Sequence, residues 1–314
     1  MIHLITGIHG FAGSHLADLL VKKGEQVCGL AHSLDNDQNI AHLGNKIKVY
    51  QADICDRLQV EQVLDSVRPT AIYHLAGMSY VPATVDSAMF DSHFRGTLNL
   101  LESAKELKLK AKTLWVGSSE EYGLIKQGNG LVDECHPLSP LSLYGVSKSS
   151  AEMLANSYHE RGDLEVIRVR PFNHIGPRQN SRFVVSSFAR QIVEIEAGKE
   201  PILKVGNLNS ERDFTDVRDT VRAYLSVMNV GQSGDVFNVC SGKTKKISSM
   251  LGKLIEQAQV KIGVESEEEH FRPNIPVSLA GDFTKLQAAT GWRPEISLEA
   301  SLGDTLTYWR EKLS

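Results

Sequence analysis

The chain has 314 residues, 41% hydrophobic and 23% charged, with 34 Lys plus Arg set against 38 Asp plus Glu for a formal net charge of −4. This profile excludes disorder, a collagen-like fibre and a disulfide-stapled miniprotein, and the apolar content is ample for one large or two coupled domains. With no global positive field to draw in nucleic acid or an anionic membrane, a small molecule is the expected partner.

The opening run Ile2-His3-Leu4-Ile5-Thr6 is too short for a signal peptide or a membrane span, and no later stretch reaches the roughly 18 apolar residues a span needs. A soluble, cytoplasmic protein is expected. Cys28, Cys55, Cys135 and Cys240 are scattered without a C-x-x-C or a neighbouring His, so reduced thiols and no metal site are expected.

To about residue 170, β-branched apolar runs at 2–6, 26–31, 47–52, 71–75, 113–117 and 165–170 alternate with amphipathic stretches at 12–23, 58–67, 95–107 and 144–160. This alternation predicts βαβ units and a doubly wound parallel sheet of about seven strands. Beyond residue 171 the alternation weakens, with helices expected at 183–197, 220–228, 247–259 and 298–312. The predicted division is 1–171 plus 213–240 as a dinucleotide-binding domain and 172–212 plus 241–314 as a smaller, discontinuous α/β domain. Glu267-Glu268-Glu269 reads as a solvated charge run.

Between the first strand and the first helix stands Gly7-Ile8-His9-Gly10-Phe11-Ala12-Gly13. Glycines at this spacing let the turn tighten, let backbone N–H groups reach a pyrophosphate and let helix pack on strand, so Gly7, Gly10 and Gly13 are candidate cofactor residues. Asp53 follows the third strand, where an adenine amino group could be read, although an Asp there is also a common helix cap. His74-Leu75-Ala76-Gly77 closes the fourth strand beside the cofactor path. The acid that grips the ribose diol of NAD is missing from the end of the second strand, which reads Leu30-Ala31-His32-Ser33 with Asp35 and Asp37 farther out. Without that carboxylate a 2′-phosphate is not repelled, and NADP(H) and NAD(H) both remain open.

Hydride chemistry on such a sheet calls for a proton donor or acceptor, and a Tyr with Lys one helical turn away supplies it, the ammonium drawing the phenol pKa down. The chain holds three such matches, Tyr122/Lys126, Tyr144/Lys148 and Tyr308/Lys312. Tyr122/Lys126 runs into Gly128-Asn129-Gly130 and Tyr308/Lys312 lies at a frayable C-terminus. Only Tyr144/Lys148 opens a long amphipathic helix that puts both side chains on one face. Ser118-Ser119 ends the fifth strand, where a hydroxyl can face the same pocket.

Through Thr6-Gly7-x-x-Gly10-Phe11-x-Gly13, His74-Leu75-Ala76, Ser118-Ser119-Glu120-Glu121-Tyr122-Gly123 and Tyr144-Gly145-x-Ser147-Lys148, the chain resembles the extended short-chain dehydrogenase/reductase family of nucleotide-sugar enzymes. Arg170-Pro171-Phe172-Asn173-His174-Ile175-Gly176-Pro177, Arg212-Asp213-Phe214 and Asn238-Val239-Cys240-Ser241-Gly242 look most like the GDP-4-keto-6-deoxy-mannose reductases, with GDP-mannose 4,6-dehydratases next. The resemblance implies a Rossmann domain with Gly7, Gly10, Phe11, Gly13, His32, Asp53, Ile54, Leu75 and Ala76 about the cofactor. It implies Tyr144 as acid/base, Lys148 as its tuner and a ribose ligand, and Ser118 with Ser119 orienting the sugar oxygen. Ser79, Asn173, Phe183 and Val184 would contact the GDP-sugar, Asn207 would border the base, and Arg212 with Arg272 would clamp the diphosphate. Glu120 stands where a dehydratase carries its base, so dehydration stays open beside reduction, as do C4 epimerisation and a cofactor-bound regulatory protein without turnover. The helix at 95–107 and its partner at 144–160 are apolar beyond one face, and in the family such a pair forms a four-helix homodimer interface. An Asn common in relatives is replaced by His93, read here as a packed histidine.

Overall fold

The computed structural model describes residues 1–35, 37–79, 87–123, 125, 130–266 and 279–314. In the first half β1 (Ile2–Thr6), α1 (Phe11–Lys22), β2 (Gln26–Ala31), β3 (Ile47–Gln51), α2 (Arg57–Val67), β4 (Ala71–His74), α3 (Ser87–Phe90), α4 (Gly96–Glu106), β5 (Lys112–Val116), α5 (Leu143–Glu160) and β6 (Val166–Pro171) alternate as predicted. The second half contributes β7 (Asn173–Ile175), α6 (Val184–Glu196), β8 (Ile202–Val205), β9 (Glu211–Asp216), α7 (Val217–Val230), β10 (Val236–Val239), β11 (Thr244–Lys246), α8 (Ile247–Ile255), β12 (Gly263–Ser266), α9 (Thr284–Thr290) and α10 (Leu298–Leu313).

The central sheet has seven strands in the order β10-β6-β5-β4-β1-β2-β3, and every adjacent pair is parallel. Both faces are covered, which is why most residues of its central strands are buried instead of alternating with exposed ones. One face carries α1 and α7, where Leu16, Leu20, Val221 and Tyr224 pack on Ile5, Leu114 and Ile167; Leu286 and Trp292 join the same core. On the other face α2, α4 and α5 place Val60, Leu64, Leu100, Leu101, Ala151 and Ala155 against Leu4, Ile72 and Trp115. Each fully buried side chain of this kind contributes about 1.5–3 kcal/mol. Strand order reverses direction between β1 and β4, with Thr6 opposite His74 in register. The crevice of an open α/β sheet lies at that switch point.

A second core joins α6, α8 and α10 through Phe188, Ile192, Met250, Leu254, Leu302, Leu306 and Trp309. Two small sheets, β11-β9-β7 and β12-β8, complete this region. Differences from expectation cluster here. The helix expected over 247–259 ends at Ile255, and Val236–Val239, too short for a clear pattern, forms the seventh strand of the main sheet.

Candidate active site

At the switch point, β1 runs into a turn in which Gly7 takes φ +72°, and a Cβ at Gly13 would collide with the Gly7 carbonyl oxygen. Only glycine satisfies both positions. Gly10 caps α1 without a side-chain hydrogen bond, and no acid stands in the first turn. The first N–H groups of α1 are therefore left for an external anion, and the residues present fit a dinucleotide pyrophosphate. The Phe11 ring lies parallel to His174, with centroids 5.6 Å apart.

Below the turn a buried network ties the strand ends together. Thr97 Oγ1 donates to the His93 carbonyl oxygen (2.6 Å) and accepts from Trp115 Nε1 (3.2 Å), so its contact with His74 Nε2 (3.1 Å) makes that nitrogen the donor. His74 Nδ1 is then bare and accepts from Thr6 Oγ1 (2.8 Å), which in turn accepts from the Ala76 N–H (3.0 Å). Burial lowers the His74 pKa to about 3, so the ring is neutral. Leu75 and Ala76 are thereby held beside Gly7.

Asp53 is half-buried, and its Oδ1 accepts the Cys55 N–H (2.8 Å). The cap of α2 is Asp56, which accepts from Leu58 and Gln59, so Asp53 is not the helix cap. Ile54 is buried behind it and His32 is exposed at the end of β2. Asp35 is engaged by the Ser33 hydroxyl (3.1 Å).

The catalytic candidates converge from β5 and α5. Ser118 caps the short turn Ser119–Glu121, its Oγ accepting the Glu120 N–H (3.2 Å). Ser142 caps α5 by accepting from Gly145 (3.0 Å), which starts the helix one turn before Lys148 and puts Tyr144 and Lys148 on one face. The Tyr144 hydroxyl faces Ser118; burial pushes the phenol pKa up, and Ser118 draws it part of the way back. Lys148 Nζ donates to the Val116 carbonyl (2.9 Å) and lies 5.4 Å from the Trp115 ring centre. Burial lowers its pKa to about 8.

His93 is buried, as expected, and it touches α5. Its ring meets the Tyr144 ring edge-on, with centroids 5.4 Å apart. Nε2 lies 2.9 Å from the Met78 carbonyl and must donate, while Nδ1 lies 2.8 Å from Ser147 Oγ, whose hydroxyl also has the Tyr144 carbonyl oxygen at 2.8 Å. It sits in a single π-helical turn, Asp91–Arg95, a distortion that recurs at functional sites.

On the substrate side, Glu120 is exposed and accepts from Ser142 Oγ (3.1 Å). Arg212 is a partly buried guanidinium that feels the Glu120 charge. Asn173 pairs in register with Phe214, two residues along β9 from Arg212. Phe183 caps α6 without a side-chain bond, leaving the Val184 end open to an anion. Asn207 is exposed and accepts the Asn209 N–H (2.9 Å), and Ser79 is exposed. Arg272, Lys126 and the run Glu267-Glu268-Glu269 lie outside the described residues.

Sequence reasoning missed the buried ions that support these groups. Asp213 accepts from the N–H groups of Ser241 (2.8 Å), Gly242 (2.9 Å) and Gly281 (3.2 Å) and from the Ser241 hydroxyl (2.6 Å). Arg170 forks onto Glu152 through Nε–Oε2 (2.9 Å) and Nη2–Oε1 (2.6 Å). Tyr122 is part of the same support: it donates to Asn238 Oδ1 (2.6 Å) and accepts from Arg170 Nη1 (3.0 Å). An acid on the buried face of a helix and an arginine inside an apolar strand were the signals available.

A model of the GDP-mannose 4,6-dehydratase family matches residues 4–305. The chain is 33% identical to the GDP-6-deoxy-D-mannose reductase of Pseudomonas aeruginosa over 98% of this chain and 97% of that one. It is 29% identical to human GDP-mannose 4,6-dehydratase over 95% of this chain and 88% of that protein. The structure of RMD from Pseudomonas aeruginosa complexed with NADPH superposes with a TM-score of 0.85 at 31% identity, covering 99% of both chains. UDP-glucose 4-epimerase of Thermotoga maritima gives 0.88 at 26% identity, with both chains fully covered. The glycine turn at the strand switch, the Ser118–Tyr144–Lys148 grouping and a match spanning nearly the whole chain agree: the protein belongs to the GDP-mannose 4,6-dehydratase family of extended short-chain dehydrogenase/reductases.

Proposed function

We propose that the protein reduces the 4-keto group of a GDP-4-keto-6-deoxy-hexose to the alcohol, giving a GDP-rhamnose-type product, with NADP(H) or NAD(H) as cofactor. The observation that carries this reading is that Tyr144 and Lys148 lie one helical turn apart on α5, with Lys148 anchored on the Val116 carbonyl and Tyr144 facing Ser118 at the carboxyl edge of the sheet. When bound at the glycine turn, the cofactor supplies hydride to C4. Burial keeps the Tyr144 phenol protonated, so it is poised to donate to the C4 oxygen while Ser118 and Ser119 orient that oxygen. The Lys148 ammonium, anchored on Val116, offsets the negative charge left on the phenol. Arg212, Arg272, Asn173 and the open end of α6 at Phe183–Val184 would hold the diphosphate, with Asn207 beside the base. The 33% identity to a GDP-6-deoxy-D-mannose reductase supports reduction over the alternative.

The second reading is a 4,6-dehydratase, and one observation favours it: Glu120 is exposed beside Ser118, oriented by Ser142 and close to Arg212. A carboxylate so placed suits removal of a C5 proton. Incubation with GDP-mannose, and separately with its 4-keto-6-deoxy product, while NADPH absorbance and products are followed, separates the two. We expect stoichiometric NADPH oxidation with the keto sugar alone. Consumption of GDP-mannose without net oxidation would establish the dehydratase.

We further propose a cytoplasmic homodimer with a nucleotide-sugar domain at 172–212 plus 241–314, although no helix among the described residues is long and apolar enough to cross a membrane. On α5, Leu143, Val146 and Met153 leave an exposed apolar stripe at helical spacing. It borders a groove of about 400 Å³ lined by Phe90, Asp91, Phe94, Arg95, Leu98 and Ser150. A second copy presenting the same helices would cover both by isologous packing; sedimentation as a monomer at micromolar concentration would refute it.

A further inference from the structure

Glu121 takes no part in the chemistry above, yet it is fully buried directly under the site. Its Oε1 accepts the Ser118 N–H (2.6 Å), closing a reciprocal cap with the Ser118 side chain. The space it fills exists because residue 117 is glycine, where a Cβ would run into that same oxygen. Its Oε2 is buried and has no donor among the described residues. The neighbouring acid is Glu152 on α5, whose carboxylate acts on Glu121 across the dry interior. Two neighbouring carboxylates in a dry site cannot both stay ionised, and one must carry the proton. Glu152 is the ionised partner, because the Arg170 guanidinium grips both its oxygens.

We propose that Glu121 is a neutral carboxylic acid whose Oε2–H donates to Glu152 while its Oε1 holds the Ser118 backbone, making it a positioning residue for the Ser118 hydroxyl. The orphaned Oε2 is then satisfied, and one chain of bonds runs from Arg170 through Glu152 and Glu121 to Ser118. The charged or titratable groups facing Glu121 are Tyr144, Lys148 and Glu152 on α5 and Arg168 and Arg170 on β6. Burial and the Glu152 charge both push the Glu121 carboxyl well above its ordinary value, in the same direction as the geometry.

The positioning role rests on the reading of Ser118, Tyr144 and Lys148 as the reacting groups, whereas the protonation state does not. It is read first, by difference infrared spectroscopy of the full chain against Glu121→Gln at neutral pH. A carboxylic-acid carbonyl band present in the wild type and absent in the variant is expected; no such difference overturns the proposal. Kinetics read the second part. A glutamine amide accepts from Ser118 and donates to Glu152 as the acid does, so E121Q keeps kcat within about twofold with an unshifted pH profile. Glu121→Leu breaks both contacts and lowers kcat about tenfold with little change in KM. A shifted pH profile in E121Q would mean an ionised Glu121, and wild-type kcat in a folded E121L would remove the positioning role. Should E121L fail to fold, Glu121→Asp, one methylene short of both partners, is scored by the same split between kcat and KM.

Discussion

Two helices of this protein carry Tyr and Lys at the same spacing, and their surroundings separate them. On α10, Lys312 is exposed and its ammonium donates to the Tyr308 hydroxyl over 3.0 Å. Each group finds its nearest partner in the other. On α5, Lys148 is 9% exposed and donates to a β5 carbonyl, while Tyr144 meets Ser118 and the edge of His93. Spacing alone places two side chains on one face; what would make the α5 pair an acid and its tuner, under the proposed function, is that the sheet edge, the Ser118 turn and the π-helical turn take up their other contacts.

The sharpest test of the contrast is Tyr144→Phe, expected to lower kcat by about 10²-fold or more with unchanged cofactor affinity, measured by steady-state kinetics and cofactor titration. Next comes pH. With the Lys148 pKa at about 8, kcat/KM for reduction should fall as pH rises through that value and the ammonium is lost. The folded chain binds fewer protons than the unfolded chain between about 8 and the ordinary lysine value of about 10.4, so stability should rise with pH over that window. Denaturant titrations of Lys148→Met should show this rise flattened. Glu120→Gln should keep at least about a tenth of the reductase activity, whereas a dehydratase would lose about 10²-fold or more. Smallest of all, Tyr308→Phe should leave kcat unchanged; a loss equal to that of Tyr144→Phe would mean that spacing, not environment, makes the pair.

The parallel sheet was legible because β-branched apolar runs alternate with amphipathic stretches, and Gly7–Gly13 was legible because it stands between a clear strand and a clear helix. The helix carrying Tyr144 and Lys148 was found by rejecting matches that lacked a helix or sat at a terminus. Val236–Val239 was not found, since four residues carry no period. Glu121 escaped for a different reason. Its partners Glu152 and Arg170 are distant in sequence, and an adjacent Glu-Glu looks solvated until the fold turns Glu120 outward and Glu121 inward. His93 was rightly read as packed, but its contact with Tyr144 depends on a helical distortion that no residue pattern announces.

The seventh strand also bears on how the chain must be made. β6 is complete at Pro171, yet its outer neighbour β10 begins at Val236, after the segments forming β7, β8, β9 and α7. During synthesis β6 is therefore an open sheet edge while the intervening chain emerges, and such an edge invites pairing with another nascent chain. Arg168 and Arg170 stand in that strand, and a charged strand is a poor template for intermolecular association. When β10 arrives, Arg168 docks it by donating Nη2 to the Gly234 carbonyl (2.7 Å) and its backbone N–H to Asp235 (2.8 Å). In the finished fold the same arginine thus holds the segment that closes this edge.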